Sequence, residues 1–199
     1  MIYLNEIMRD KKELRKQILL KRSEFTDEII IRNSNVIIDK IKEMEAYKES
    51  KVIMCYIDFG NEVRTKDFIR FCLKTGKRVL VPIVMKYPDG KREMKASELF
   101  DLDQEVESGT MGVLEPKLDK RRFVNPSEID FFVVPGLAFD TAKNRLGYGA
   151  GFHDSVLRLL RKDCETAAVA FDFQVFDDIP INEYDVAVKK IVTEFRIIQ

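Results

Sequence analysis

The 199-residue sequence contains no tryptophan, a single histidine and three cysteines. One histidine, His153, rules out a multi-histidine metal centre, and Cys55, Cys72 and Cys164 are scattered without a CxxC pair, which argues against a structural zinc site. The cysteines read instead as small buried hydrophobes. A surplus of charge is also missing, since 34 Lys and Arg face 34 Asp and Glu. Phosphate neutralisation supplies much of the affinity of nucleic-acid-binding proteins, so a balanced chain is not expected to take a nucleic-acid partner. Long apolar runs are absent. The longest, such as residues 131–139, are too short to cross a bilayer, and no membrane partner is expected. The opening MIYLNEIMRDKK lacks the order of basic head, apolar middle and small-residue cleavage site of a signal peptide, which points to the cytoplasm.

Neither a linker, an internal repeat nor a low-complexity tract interrupts the chain. One α/β domain is therefore expected over residues 1–199, acting as a monomer, in which residues 1–10 could form a flexible N-terminal extension. Residues 11–22 read as a helix with Leu14, Ile18 and Leu19 on one side. Its basic residues Lys11, Lys12, Arg15, Lys16, Lys21 and Arg22 read first as a solvated face, from which one or two members could reach a bound phosphate. A second helix should follow Thr26, which can cap it, with Asp27 and Glu28 at its positive end. Residues 51–57 read as a buried strand, 62–74 as a helix stopped near Gly76, and 78–84 as a strand limited by Pro82. This strand–helix–strand order predicts a parallel sheet with crossover helices. YPDG at 87–90 reads as a turn between two short strands, and 101–128 as loop with one short strand or helix. A strand over 130–135, a helix over 152–162 and strands over 166–173 and 191–195 complete the expectation.

The segment from Val134 to Leu157 carries the chemistry. A buried strand ends at Pro135–Gly136, and Gly147, Gly149 and Gly151 then alternate just before a helix. Glycines allow positive φ and close backbone approach, and successive free N–H groups beside a helix start make an anion cradle. Arg145 adds a multidentate phosphate donor. The glycines alone could be a tight strand-to-helix connection. The spacing is neither a Walker A loop nor the GxGxxG dinucleotide fingerprint. Arginine, alternating glycines and Asp154 within ten residues, at the carboxyl end of a strand, favour a phosphate-bearing ligand such as ATP. Asp154 reads either as helix-end electrostatics or as a Mg²⁺ ligand. Asp185 could be a second carboxylate or an exposed loop residue, and Asp177 and Asp178 compete with it. Strand parity would put Asp172 and Gln174 on one face, leaning over the site or making core-edge hydrogen bonds. Glu62 reads as a cap or as a ligand contact. Tyr148 or Phe152 could stack on a flat ring, although core packing is the stronger reading for Phe152. His153 is balanced between a lone core histidine and a site residue.

These residues resemble the 5-formyltetrahydrofolate cyclo-ligase family, also called 5,10-methenyltetrahydrofolate synthetases. The motifs that carry the likeness are PGLAFD at 135–140, RLGYGAGFHD at 145–154, KKELR at 11–15, EVRT at 62–65, LEP at 114–116, FDFQ at 171–174 and Tyr184–Asp185 with VTE at 192–194. The resemblance implies an α/β/α sandwich with a mostly parallel sheet, related to the ribose-5-phosphate isomerase and CoA-transferase group. It implies that Lys11, Arg15, Arg145 and the backbone from Gly147 through Tyr148, Gly149, Ala150 and Gly151 to Phe152 and His153 bind ATP, with Lys11 and Arg145 acting in catalysis. Asp154 and Asp185 would hold Mg²⁺. Ile57, Glu62, Tyr148 and Phe152 would contact the substrate, 5-formyltetrahydrofolate. The chain departs from the family pattern at Lys143, where a glycine is usual, at Ala150, at Phe152 and His153 in place of two tyrosines, and at Tyr184 in place of histidine.

The implied reaction uses ATP to phosphorylate the formyl oxygen, after which N10 attacks the activated carbon and phosphate leaves. Such chemistry needs positioning and charge neutralisation more than a side-chain nucleophile, which suits a sequence without a Ser/His/Asp or Cys/His triad. Truncating Arg145 is expected to cost far more turnover than stability. The rival readings are an ATP-dependent enzyme acting on a related pterin or amide, a non-catalytic folate- or nucleotide-binding module, and a nucleic-acid-binding domain using the 11–22 helix.

Overall fold

Short runs of β-branched and aromatic residues, buried on both sides, build the centre of the molecule. The structure, a computed structural model, describes residues 2–109 and 112–199, with side chains described from Asp10 onward. In chain order, α1 (Ile2–Ser23), α2 (Asp27–Glu43) and α3 (Glu45–Glu49) precede β1 (Val52–Cys55). Next, α4 (Lys66–Lys74) leads into β2 (Arg78–Lys86) and β3 (Arg92–Leu99), and α5 (Leu102–Glu105), β4 (Val106–Ser108), β5 (Leu114–Pro116) and β6 (Phe123–Val124) follow. The segments β7 (Phe131–Val134), β8 (Ala138–Asp140) and β9 (Arg145–Leu146) lead to α6 (Phe152–Leu157). Last come β10 (Glu165–Val169), β11 (Val175–Phe176), β12 (Lys190–Val192) and β13 (Ile197–Ile198).

Eight strands form one sheet in the order β13-β12-β10-β7-β1-β2-β3-β6. From β12 to β2 every pairing is parallel, while β13, β3 and β6 add antiparallel edges. The two-residue period of the strands separates the core into two halves. Ile53, Cys55, Val79, Val81, Phe131 and Val133 pack with Ile30, Ile37 and Ile41 of α2 and Phe68 and Ile69 of α4. Their neighbours Met54, Leu80, Phe132, Val134 and Ala168 pack on the opposite face with Phe139, Val156 and Leu157. The result is the expected α/β/α layering, with α6 and a small sheet of β11, β8 and β9 on the second face. The three cysteines are free and buried, as expected. No helix among the described residues is long and apolar enough to cross a membrane.

Several boundaries differ from the sequence reading, each for a local reason. The helix expected over 11–22 starts at Ile2. Thr26 caps α2 as expected, its Oγ1 accepting from the Ile29 amide at 3.4 Å. The helix expected over 62–74 begins at Lys66 because Asp58 caps it from the preceding turn, accepting from the amides of Thr65 at 2.8 Å and Lys66 at 3.0 Å. Pro82 lies inside β2, beyond the last residue paired with β1, and the hairpin with β3 continues through eight residue pairs across the 87–90 turn. Residues 101–128 hold a short helix, a β4–β5 hairpin and the edge strand β6, more order than expected.

The helix expected over 152–162 stops at Leu157, and Leu159, assigned to its apolar face, is exposed. The strand expected over 166–173 ends at Val169, so Asp172 and Gln174 share a single 3-10 turn and no strand face. Gln174 is spent on core-edge bonds to the carbonyls of Gly136 and Leu137, and Asp172 accepts from Thr193 and Arg196. The strand expected over 191–195 stops at Val192 as β12, because the Thr193 hydroxyl accepts from the amides of Phe195 and Arg196 and turns the chain into β13.

The turn from β8 to β9 contains the one non-glycine residue with positive φ among the described residues, Lys143 at 69°. A side chain in the left-handed region costs about 1–2 kcal/mol. Lys143→Gly should therefore stabilise the protein by about 0.5–1 kcal/mol in urea denaturation. A loss of stability would show that the lysine side chain makes a compensating contact.

Candidate active site

The loop after β9 is glycine-rich for two separate reasons. Gly149 and Gly151 take φ values of +107° and +67°, conformations that L side chains rarely adopt. Gly147 and Gly149 also give room for arginines. A Cβ on Gly147 would lie 2.7 Å from Nη1 of Arg145, and one on Gly149 would lie 3.3 Å from Cζ of Arg15. The loop backbone is thus bare where two guanidinium groups lie against it.

The basic edge of α1 closes the other side. Lys11 and Arg15 join Arg145, the 147–154 loop, Arg158, Asn182, Tyr184 and Asp185 around a cleft of about 410 Å³. Arg15 Nε donates to the Gly147 carbonyl at 2.9 Å. Lys11, 2% exposed, is ion-paired with Asp185. Arg145, 3% exposed, donates through Nη2 to Asp154 Oδ1 at 2.8 Å. Removing Arg145 would strand a buried Asp154 carboxylate, so its loss carries a cost in stability beside the expected larger cost in turnover. Lys12, Lys16 and Lys21 are exposed, so the N-terminal cluster divides into a solvated face and a site face. Leu19, grouped with the apolar side, is exposed as well.

Asp154 and Asp185 line the same cleft, whereas Asp177 and Asp178 are exposed and lie outside it. The hydrogen bonds that Asp154 accepts from Arg145 and the Val186 amide both go to Oδ1, and those that Asp185 accepts from Lys11 and the Asn182 amide both go to Oδ2. Each carboxylate therefore keeps a second oxygen with no bond to a described residue. Two carboxylates beside a polyanion cradle fit Mg²⁺, which commonly takes one or two carboxylates plus phosphate oxygens and water. Among the described residues no group of three or more His, Cys, Asp and Glu forms a complete metal cage.

The remaining expected residues divide. Phe152 is half-buried and packs against the second-face core, in keeping with its stronger reading. Ile57 is buried in the first-face core and lines no part of the cleft. Glu62 lies beyond Tyr148, whose hydroxyl donates to Glu62 Oε1. Glu62 Oε2 accepts from the Phe59 amide at 3.0 Å. Burial raises the Glu62 pKa, opposed by the Tyr148 and Phe59 bonds and by the charge of Arg22. Burial and then the Glu62 charge raise that of the Tyr148 phenol. Burial lowers the Arg15 pKa, and Asp185 opposes it. Behind Glu62 a second, very small cavity of about 10 Å³ sits where β1, β7 and β10 end. Arg22, only 4% exposed, lines it and donates to Tyr148 Oη at 3.1 Å. The sequence reading missed this burial of Arg22. The signal was the 4-3-4 spacing of Lys11, Arg15, Ile18 and Arg22, which places all four on one helical face.

His153 is half-buried, with its ring stacked on Phe132 at 6.2 Å between centroids. Its Nε2 and the Nε of Arg145 are buried without a hydrogen-bond partner among the described residues. Burial, and secondarily the charge of Arg145, lowers the His153 pKa to about 3. The folded state keeps this histidine neutral between that value and the ordinary pKa of about 6.5, where the unfolded chain takes up a proton, so stability falls as pH falls through this window. Between pH 7 and 5, without metal or nucleotide, His153 should contribute a loss of about 2 kcal/mol. His153→Gln should remove that part of the slope in urea denaturation at the two pH values. An identical slope in both proteins would place the histidine in water.

The sequence profile of the 5-formyltetrahydrofolate cyclo-ligase family matches residues 7–194 of the chain. The chain is 30% identical to the 5-formyltetrahydrofolate cyclo-ligase of Mycoplasma genitalium over 84% of its own length and 88% of that protein. With the Escherichia coli K12 enzyme of the same name it shares 27% identity over 73% of its length and 79% of the relative. Its fold superimposes on the solved 5,10-methenyltetrahydrofolate synthetase of Aquifex aeolicus with a TM-score of 0.80 and 32% identity, covering 94% of this chain and 91% of that one.

Proposed function

The chain belongs to the 5-formyltetrahydrofolate cyclo-ligase family, and from that premise we propose how its own residues carry out the ATP-dependent closure of 5-formyltetrahydrofolate to 5,10-methenyltetrahydrofolate. The observation that carries the proposal is the convergence of Lys11, Arg15 and Arg145 with the bare loop backbone on one cleft. The triphosphate lies there, against Arg15 and the 147–151 backbone. Lys11 and Arg145 face the γ-phosphoryl group and neutralise the charge that spreads over its oxygens. Asp154 and Asp185 would hold Mg²⁺, which would supply further charge neutralisation. Ring recognition falls to Tyr148 and Phe152, and Glu62 reads the substrate from the far side of Tyr148. The enzyme works in the cytoplasm.

A formamide oxygen is a poor leaving group. In the proposed sequence it attacks the γ-phosphorus and ADP departs with the bridging oxygen and its electron pair. The substrate N10 then bonds to the activated formyl carbon and loses its proton, and the C–O bond breaks to release phosphate. The protein's part is to hold the formyl oxygen and the γ-phosphorus in line and to exclude water.

Incubation with 5-formyltetrahydrofolate and Mg-ATP tests the reading. The near-ultraviolet absorbance of the methenyl product should rise in step with ADP. ADP without the methenyl product would favour another acceptor, and binding without turnover would favour a non-catalytic module. Arg15 is half-buried and holds a backbone carbonyl rather than a buried charge. Arg15→Ala should therefore raise KM for ATP by about tenfold, the equivalent of one charge-assisted contact, while unfolding stability changes by less than about 1 kcal/mol. An unchanged KM for ATP would remove Arg15 from the phosphate site.

A further inference from the structure

Tyr148 stands between the two cavities. It lines the large cleft, while its hydroxyl is bound to Glu62 and Arg22, which line the small one. The small cavity has about 10 Å³, room for a single water, although it sits at the carboxyl edge of the sheet where open α/β folds place ligands. Its polar wall is built and held. Arg22 Nε donates to the Asn61 carbonyl at 3.0 Å, and Asn61 Nδ2 donates back to the Arg22 carbonyl at 2.9 Å. The end of α1 is thus fixed to the turn that presents Glu62.

Tyr148 itself is held differently. The residue is 52% exposed and joins none of the buried core clusters. Its position depends on two hydrogen bonds made by one oxygen, which accepts from Arg22 and donates to Glu62. It is flanked by Gly147 and Gly149, the second at a φ of +107°. A loosely packed side chain on a glycine-flanked backbone can leave at small cost, and what it leaves is a seat with one fixed donor and one fixed acceptor.

We infer that the Tyr148 phenol is an internal occupant of the seat between Arg22 and Glu62, displaced when a ring bearing an adjacent carbonyl and N–H enters, and that Arg22 is the positioning residue that holds this seat in place. The carbonyl takes the Arg22 donor and the N–H takes the Glu62 acceptor, the two bonds the phenol had made. This inference rests on the proposed function, because the pterin ring of 5-formyltetrahydrofolate carries such an edge. Since Tyr148 belongs to the loop that faces the triphosphate, its departure also links occupation of one cavity to the shape of the other.

Calorimetric titration with 5-formyltetrahydrofolate in the absence of nucleotide, and separately with Mg-ATP, tests the inference. Tyr148→Phe keeps the exposed ring and removes the competing hydroxyl, so it should bind the folate about three- to tenfold more tightly than the parent. Arg22→Gln should weaken folate binding by about tenfold or more and change Mg-ATP binding less than twofold, with partial recovery in Arg22→Lys, which restores a donor without the fork. Folate binding by Tyr148→Phe that is equal to or weaker than the parent's would overturn the inference, as would equal weakening of both ligands in Arg22→Gln. If Arg22→Gln does not fold, the Tyr148→Phe comparison decides. A parent that neither binds nor cyclises the folate overturns the functional reading and this inference with it. A parent that cyclises it while Tyr148→Phe binds no tighter overturns the inference alone.

Discussion

The structure of the site depends on gathering cations against a backbone stripped of side chains. Three positive groups, Lys11, Arg15 and Arg145, lie around one cleft, two of them almost wholly buried. Unpaired, such charges would be driven apart by repulsion and by the cost of leaving water. Each has a partner: Asp185, the Gly147 carbonyl and Asp154. The missing Cβ atoms of Gly147 and Gly149 let the guanidinium groups approach the chain. Charge pairing and glycine therefore act together, and neither would suffice alone.

This arrangement explains why α1 matters although it touches the small sheet more than the main core. Ile18 packs with Leu137, Ala138 and Leu146 beneath the loop, which fixes the helix at the depth from which Lys11, Arg15 and Arg22 reach inward. The same helix thereby reaches both cavities. The two carboxylates of the cleft serve as counter-ions to lysine and arginine, and each retains an oxygen that the described residues leave unbonded. On the proposed function, phosphate would take over the neutralisation of Lys11 and Arg145 and the carboxylates would turn to the divalent ion.

Much of this was legible in the chain. The runs at β1, β2 and β7 are apolar on both faces, as a buried parallel sheet requires, and the alternating glycines after Arg145 located the loop. The motifs at 11–15 and 145–154 named residues that the fold brings together across more than 130 positions of sequence, as in the bond from Arg15 to Gly147. What was not legible depended on tertiary partners. The 4-3-4 spacing puts Arg22 on the face of Lys11 and Arg15 but does not show which groups cover it, because its partners Asn61 and Tyr148 are distant in sequence. Alternation suggested a strand through Phe173, but the Gln174 side chain finds the Gly136 and Leu137 carbonyls and curls the chain instead. Ile57 follows a strand and was placed in the site by motif alone, whereas packing puts its side chain in the core.

The central claim is that α1 and the glycine loop form one polyanion site. Hydrogen–deuterium exchange followed by mass spectrometry, with and without ATP, tests it most directly. The account predicts that ATP slows exchange together in peptides covering residues 11–22 and 145–154. Protection confined to one of these segments, or found only elsewhere in the chain, would contradict it.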